Sequence, residues 1–151
     1  YRIPRPAYLS PPANLPIPEF ELLNWNNEDG AQSAKIRLIP TLPAQEIVVG
    51  VEQHQELQGI TALGNALPLP EFDRFGKQWL RFRGVPKDGL EIILKWESSP
   101  TLSFSLLGVT PGLPPPLSKL RRSRDALPGC AAHLGDRSIV LRAIRLDSPV
   151  F

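Results

Sequence analysis

Histidine and cysteine, the side chains most used in nucleophilic and transition-metal chemistry, are sparse here: two histidines, His54 and His133, and a single cysteine, Cys130. A catalytic zinc centre needs three clustered His or carboxylate ligands and one open position. His54 stands between Gln53, Gln55 and Glu56 at the end of an apolar stretch, the setting of a solvated turn residue. Cys130 and His133 have the spacing of half a metal site, but no second pair completes it, so a loop thiol and a loop imidazole are expected. Gly108-Val109-Thr110-Pro111-Gly112 echoes a nucleophile elbow with Thr in place of Ser. That motif must run directly into a helix, which Pro111, Gly112 and the following Pro114, Pro115 and Pro116 prevent, so the segment is read as a turn outside any strand. No Gly-rich phosphate loop is present. The expectation is a chain with no catalytic residue, no metal and no cofactor.

Recognition is better represented than catalysis. Lys119, Arg121, Arg122 and Arg124 form a basic cluster suited to acidic lipid headgroups or a carboxylate-rich partner. Asp125 adjoins it and no aromatics are interleaved, which argues against nucleic acid and leaves a solvated loop as the plainer reading. Of the three tryptophans, Trp96 shares the apolar phase of its strand and belongs to a core. Trp25 and Trp79 lie in less certain phases and are candidates for an exposed face on which sugar rings stack.

These residues must be positioned by short strands, since 18 prolines leave few windows for a helix. From Gln78 to Leu107 three runs alternate with period two. Leu80 and Phe82 form the first apolar face, Leu90, Ile92, Leu94 and Trp96 the second, and Leu102, Phe104 and Leu106 the third. With Val85-Pro86-Lys87-Asp88-Gly89 and Ser98-Ser99-Pro100 as turns, the spacing predicts a three-stranded meander. Earlier strands are expected at Glu19 to Asn26, where the inward phase slips at a bulge, at Gln32 to Ile39, and at Glu46 to Gln53. The last of these is apolar on both faces and so suits a central place. Asn27-Glu28-Asp29-Gly30 is a hairpin loop. A weaker strand spans Leu57 to Leu63, closed by Gly64-Asn65, and Ala66 to Lys77 is a long loop. Ser118 caps a short helix through Leu127, and a last strand, Ser138 to Leu146, has an undecided phase.

The sum is seven or eight strands in one all-β domain. The expected form is a two-sheet antiparallel β-sandwich, immunoglobulin-like or jelly-roll-like, with at most one short helix. The 151 residues allow one core, 42% of them are hydrophobic, and a net charge of +2 calls for no nucleic-acid partner. Residues 1–18 carry six of the prolines and read as a semi-rigid linker rather than a groove-binding ligand, so the sandwich is assigned to residues 19–151. A lone cysteine leaves the redox compartment open, and no apolar run reaches the ~18 residues of a membrane span. With no methionine at its start, the chain reads as a domain excised from something longer.

Gln78-Trp79-Leu80-Arg81-Phe82-Arg83-Gly84-Val85-Pro86, Gly89-Leu90-Glu91, Pro100-Thr101-Leu102, Gly112-Leu113-Pro114 and Asp136-Arg137-Ser138-Ile139-Val140 occur in that order. Together they resemble the C-terminal domain of membrane-embedded zinc aminopeptidase-type proteases, the vacuolar and endoplasmic-reticulum membrane proteases and their bacterial relatives. The similarity extends over about Glu19 to Leu146. In such proteins the peptidase domain comes first, membrane helices follow and a β-rich extracytoplasmic domain comes last. The resemblance implies a non-catalytic accessory domain, periplasmic or lumenal and close to a membrane surface. Its partners would be the peptidase and membrane domains of its own parent chain, and its work to shield or orient substrate or to mediate assembly. None of the family's metal ligands falls within these residues. The alternative is a carbohydrate- or ligand-binding sandwich acting through Trp25 or Trp79.

Overall fold

A computed structural model describes residues 16–97, 99–112 and 137–149. Nine strands are found among them: β1 (Glu19–Glu28), β2 (Ala31–Ile39), β3 (Glu46–Glu52), β4 (Leu57–Ala62), β5 (Asn65–Ala66), β6 (Lys77–Phe82), β7 (Leu90–Trp96), β8 (Thr101–Pro111) and β9 (Arg137–Asp147). One 3-10 turn, Gln53–Gln55, follows β3. All strand pairs are antiparallel. They make one sheet in the order β1-β2-β7-β4-β5 and another in the order β6-β3-β8-β9. The result is a two-sheet β-sandwich in which β1-β2-β7-β4 faces β3-β8-β9, the immunoglobulin-type arrangement, with β6 added beside β3.

Alternation fixes which side chains enter the core. Ala34, Ile36 and Leu38 of β2, with Ile92, Leu94 and Trp96 of β7, line the first sheet's inner face. Ile47, Val49 and Val51 of β3, with Leu102, Phe104 and Leu106 of β8, line the second. Each fully buried Leu or Ile contributes ~1.5–3 kcal/mol relative to exposure, so these strands carry most of the stability. In β1 the register shifts between Leu22 and Asn24, and this bulge lets Phe20, Leu22 and Trp25 all pack on the core. Phe20 meets Phe104 of the opposite sheet edge-on, with centroids 5.8 Å apart.

Three expectations need correction. The segment from Gln78 to Leu107 is not a meander, because β6 and β8 lie in one sheet and β7 in the other. Residues 83–89 form an arch across the ~10 Å between sheets. Positive φ angles at Gly84 (65°) and Gly89 (100°) bend the arch, and the Gly89 N–H donates to the Pro86 carbonyl at 2.8 Å. Gly108 to Pro111 continue β8, paired with Val140 to Arg137. The single proline stands at the strand end, where its missing donor costs little. The turn after β4 is Leu63-Gly64, one residue earlier than expected, with both residues at positive φ (51° and 76°). The expected helix from Ser118 to Leu127 lies outside the described residues.

Among the described residues four glutamines are buried, Gln32, Gln45, Gln55 and Gln78, and all are hydrogen-bonded. Gln78 accepts from the Leu57 N–H at 3.2 Å and donates to the Pro70 carbonyl at 2.9 Å, tying β6 to the start of β4 across the sandwich. Gln55 accepts from the Ser103 N–H at 2.6 Å and donates to the Thr101 carbonyl, fixing the 3-10 turn to β8. Gln45 accepts from the Thr41 N–H at 2.9 Å and donates to the Pro16 carbonyl at 3.4 Å. Pro18 is buried beside Gly108, where a Cβ would lie 2.7 Å from its ring, so the end of the Pro-rich segment is fastened to the body. No buried side-chain polar atom among the described residues lacks a partner.

Candidate functional site

The outer face of the first sheet carries a ladder of charges set by register. Glu21 of β1, Arg37 of β2 and Glu91 of β7 are direct cross-strand neighbours, and Lys35 lies on the diagonal. Arg37 donates to Glu21 at 3.1 Å and to Glu91 at 2.9 Å, while the Lys35 ammonium stands 3.0 Å from Glu91. Hydrogen bonds from Lys35, then from Arg37, hold the Glu91 carboxyl below its ordinary range. The same bonding, Glu91 foremost, holds Arg37 above its usual value. A carboxylate so held is a weaker base and an engaged guanidinium a poorer clamp for another anion.

Beside this ladder runs an open groove of about 890 Å³. Lys35, Arg37, Thr61, Glu91 and Ile93 line it together with the Leu63-Gly64 turn and most of the arch between Arg83 and Gly89. Leu63 stands at its rim 82% exposed, and Arg83 is drawn away to Glu46 at 3.4 Å.

On the outer face of the second sheet, Trp79 of β6 lies over Gly50 of β3, its cross-strand neighbour. Its indole N–H donates to Asp73 at 2.7 Å, and the Lys77 ammonium sits 5.4 Å from the ring centre. Asp73 accepts the backbone N–H groups of Phe75 (2.8 Å) and Lys77 (2.9 Å). The Lys77 amide, followed by the Trp79 indole, holds Asp73 below the usual carboxylate range.

The sequence candidates are scattered through this frame. Trp25 packs edge-on against Trp96 with centroids 5.2 Å apart and donates to Gln32 at 2.8 Å, so its ring serves the core margin. Trp79 is half-buried on the opposite sheet, so the two indoles form no common platform. Arg121, Arg122, Arg124, Cys130 and His133 lie outside the described residues. His54 is exposed in the 3-10 turn, and Thr110 sits in β8 opposite Ser138. Among the described residues no group of three or more His, Cys, Asp or Glu is placed to share a metal, and no helix is long and apolar enough to cross a membrane.

Comparison with protein-family models, with curated proteins and with solved structures finds no match. The charge ladder and the Trp79–Asp73 pair were not foreseen. Their residues stood on the polar phases of the strands, but naming partners required knowing which strands are neighbours.

Proposed function

We propose that this domain is a non-catalytic accessory domain of a membrane-anchored zinc-dependent peptidase, serving to shield or orient substrate or to mediate assembly. The resemblance of its motifs brings the peptidase. One structural observation supports the non-catalytic part: the perturbed carboxylates are already engaged by neighbouring donors. Glu91 is engaged by Lys35 and Arg37, and Asp73 by Trp79 and two backbone amides. Both carboxyls are shifted toward weaker basicity, the direction opposite to the upward tuning that general-base catalysis at neutral pH requires. Groups bonded in this way build a rigid surface.

The test is turnover by the purified chain on aminoacyl reporter substrates, with and without added zinc. No hydrolysis is expected in either condition; hydrolysis abolished by a chelator overturns the reading. The parentage is tested separately on the coding sequence upstream of Tyr1, expected to encode several apolar spans preceded by a His- and Asp-bearing peptidase segment. A secretion signal there instead transfers the domain to a free binding module.

A further inference from the structure

Among the described residues the two sheets present four lateral edges, and three are blunted. The β1 edge is interrupted by the bulge at Leu23, β5 is two residues long, and the β6 edge is bridged by Phe72 opposite Gln78 and carries Lys77 and Arg81. Bulges, short strands and charges are the usual means of refusing an added strand. β9 has none of the first two: its register with β8 runs unbroken from Arg137 to Asp147. No described strand pairs with its far side. Ile139 and Leu141 project from its outer face at 60% and 62% exposure. Their cross-strand neighbours on β8 are also apolar, the buried Val109 opposite Ile139 and the half-buried Leu107 opposite Leu141, so the exposed apolar row is the one on β9 itself.

Charge on β9 is of one sign until its last residue. Arg137, Arg142 and Arg145 precede Asp147, and only Arg145 pairs with a described carboxylate, Asp147 at 3.6 Å. Arg142 falls on the inner phase, opposite Leu106, with its guanidinium 5.9 Å from the Phe20 ring at the open flank between β1 and β9. An inward charge there repels a second copy of the same strand, since antiparallel self-pairing about residue 142 would set Arg142 against Arg142. Conversely, it favours a strand with acids on the flank side and apolar side chains on the outer side.

From these features we infer that β9 is an acceptor edge for an extended segment of alternating acidic and apolar residues, which adds to the second sheet as a further strand. Main-chain hydrogen bonds supply the affinity. Apolar side chains continue the Ile139–Leu141 row, and acidic ones meet Arg142. The inference stands apart from the peptidase reading and requires no parent enzyme.

Amide hydrogen exchange on the intact chain tests it, using capped peptides of about eight residues, alternating Glu with Val in one and Lys with Val in the other. The Glu–Val peptide slows exchange of β9 amides between residues 138 and 144 and binds roughly tenfold tighter than the Lys–Val peptide. Arg142→Glu reverses that preference while exchange in β3 stays slow, showing that the variant is folded. Equal binding of both peptides, no slowing in β9, or protection mapping to β1 or β6 overturns the inference. So does protection of β9 without peptide that rises with protein concentration, which assigns the edge to self-association.

Discussion

Gly50→Ala is the substitution that most directly probes how the second sheet's outer face is built. In a strand, alanine ordinarily stabilises relative to glycine by ~0.5–1 kcal/mol, because glycine loses more freedom on folding. Here the added Cβ would lie 2.5 Å, 2.9 Å and 3.0 Å from three carbons of the Trp79 ring. Ordinary carbon contacts are ~3.5–4.0 Å, so the indole must retreat by about 1 Å. Its freedom to do so is limited, since its N–H is held by Asp73 at 2.7 Å and Asp73 by the amides of Phe75 and Lys77. Overpacking of this kind costs ~1–3 kcal/mol, which leaves a net loss of about 1.5 kcal/mol after the propensity gain. For a chain of this size that lowers Tm by ~3–6 °C. Urea unfolding followed by tryptophan fluorescence, with thermal circular dichroism alongside, measures it. In a Trp79→Val background the obstacle is gone and Gly50→Ala turns neutral or stabilising. An unaltered Tm for Gly50→Ala, or an equal loss in both backgrounds, refutes the account.

Three further outcomes follow from the geometry. Glu91 has a folded pKa below its unfolded value, so its contribution is present above the unfolded pKa and lost as pH falls through the folded one. Glu91→Gln therefore flattens the acid limb of stability below about pH 4, and half-molar salt narrows the difference between variant and parent in urea titrations. Leu63 holds φ 51° with its side chain 82% exposed. Leu63→Asn gives the turn the Asn-Gly pair its geometry favours and raises stability by up to ~1 kcal/mol in the same assay. Gln78→Ala leaves the Leu57 N–H and the Pro70 carbonyl without their partner, and a loss of ~1–3 kcal/mol is expected, with faster exchange at the Leu57 amide.

Period-two patterning made the inner faces legible. It placed Trp96 in the core, β3 at the centre of its sheet and the bulge in β1, and all three are observed. It left unspecified which sheet a strand joins, because both sheets turn their apolar side to one core, and an arch and a hairpin leave the same alternation behind. That is why β6, β7 and β8 read as neighbours although β7 lies opposite the other two. The phase of β9 was obscured for a different reason. Its inner side carries Arg142 at an open flank, while Ile139 and Leu141 face outward, so polarity and direction disagree at this margin. The charge ladder and the buried glutamines were visible only as polar letters, since a side chain that closes hydrogen bonds between distant segments leaves no local signature.

The arch at residues 83–89 also bears on how the domain comes into being. Because β7 occupies the middle of one sheet and β8 lies between β3 and β9 in the other, a nascent chain halted before Leu90 lacks interior strands of both layers at once. No contiguous fragment can rehearse half of the architecture. Assembly must wait for distant stretches to meet, which makes for slow, all-or-none acquisition of structure and leaves a nick in the arch with no intact layer on either side of the cut.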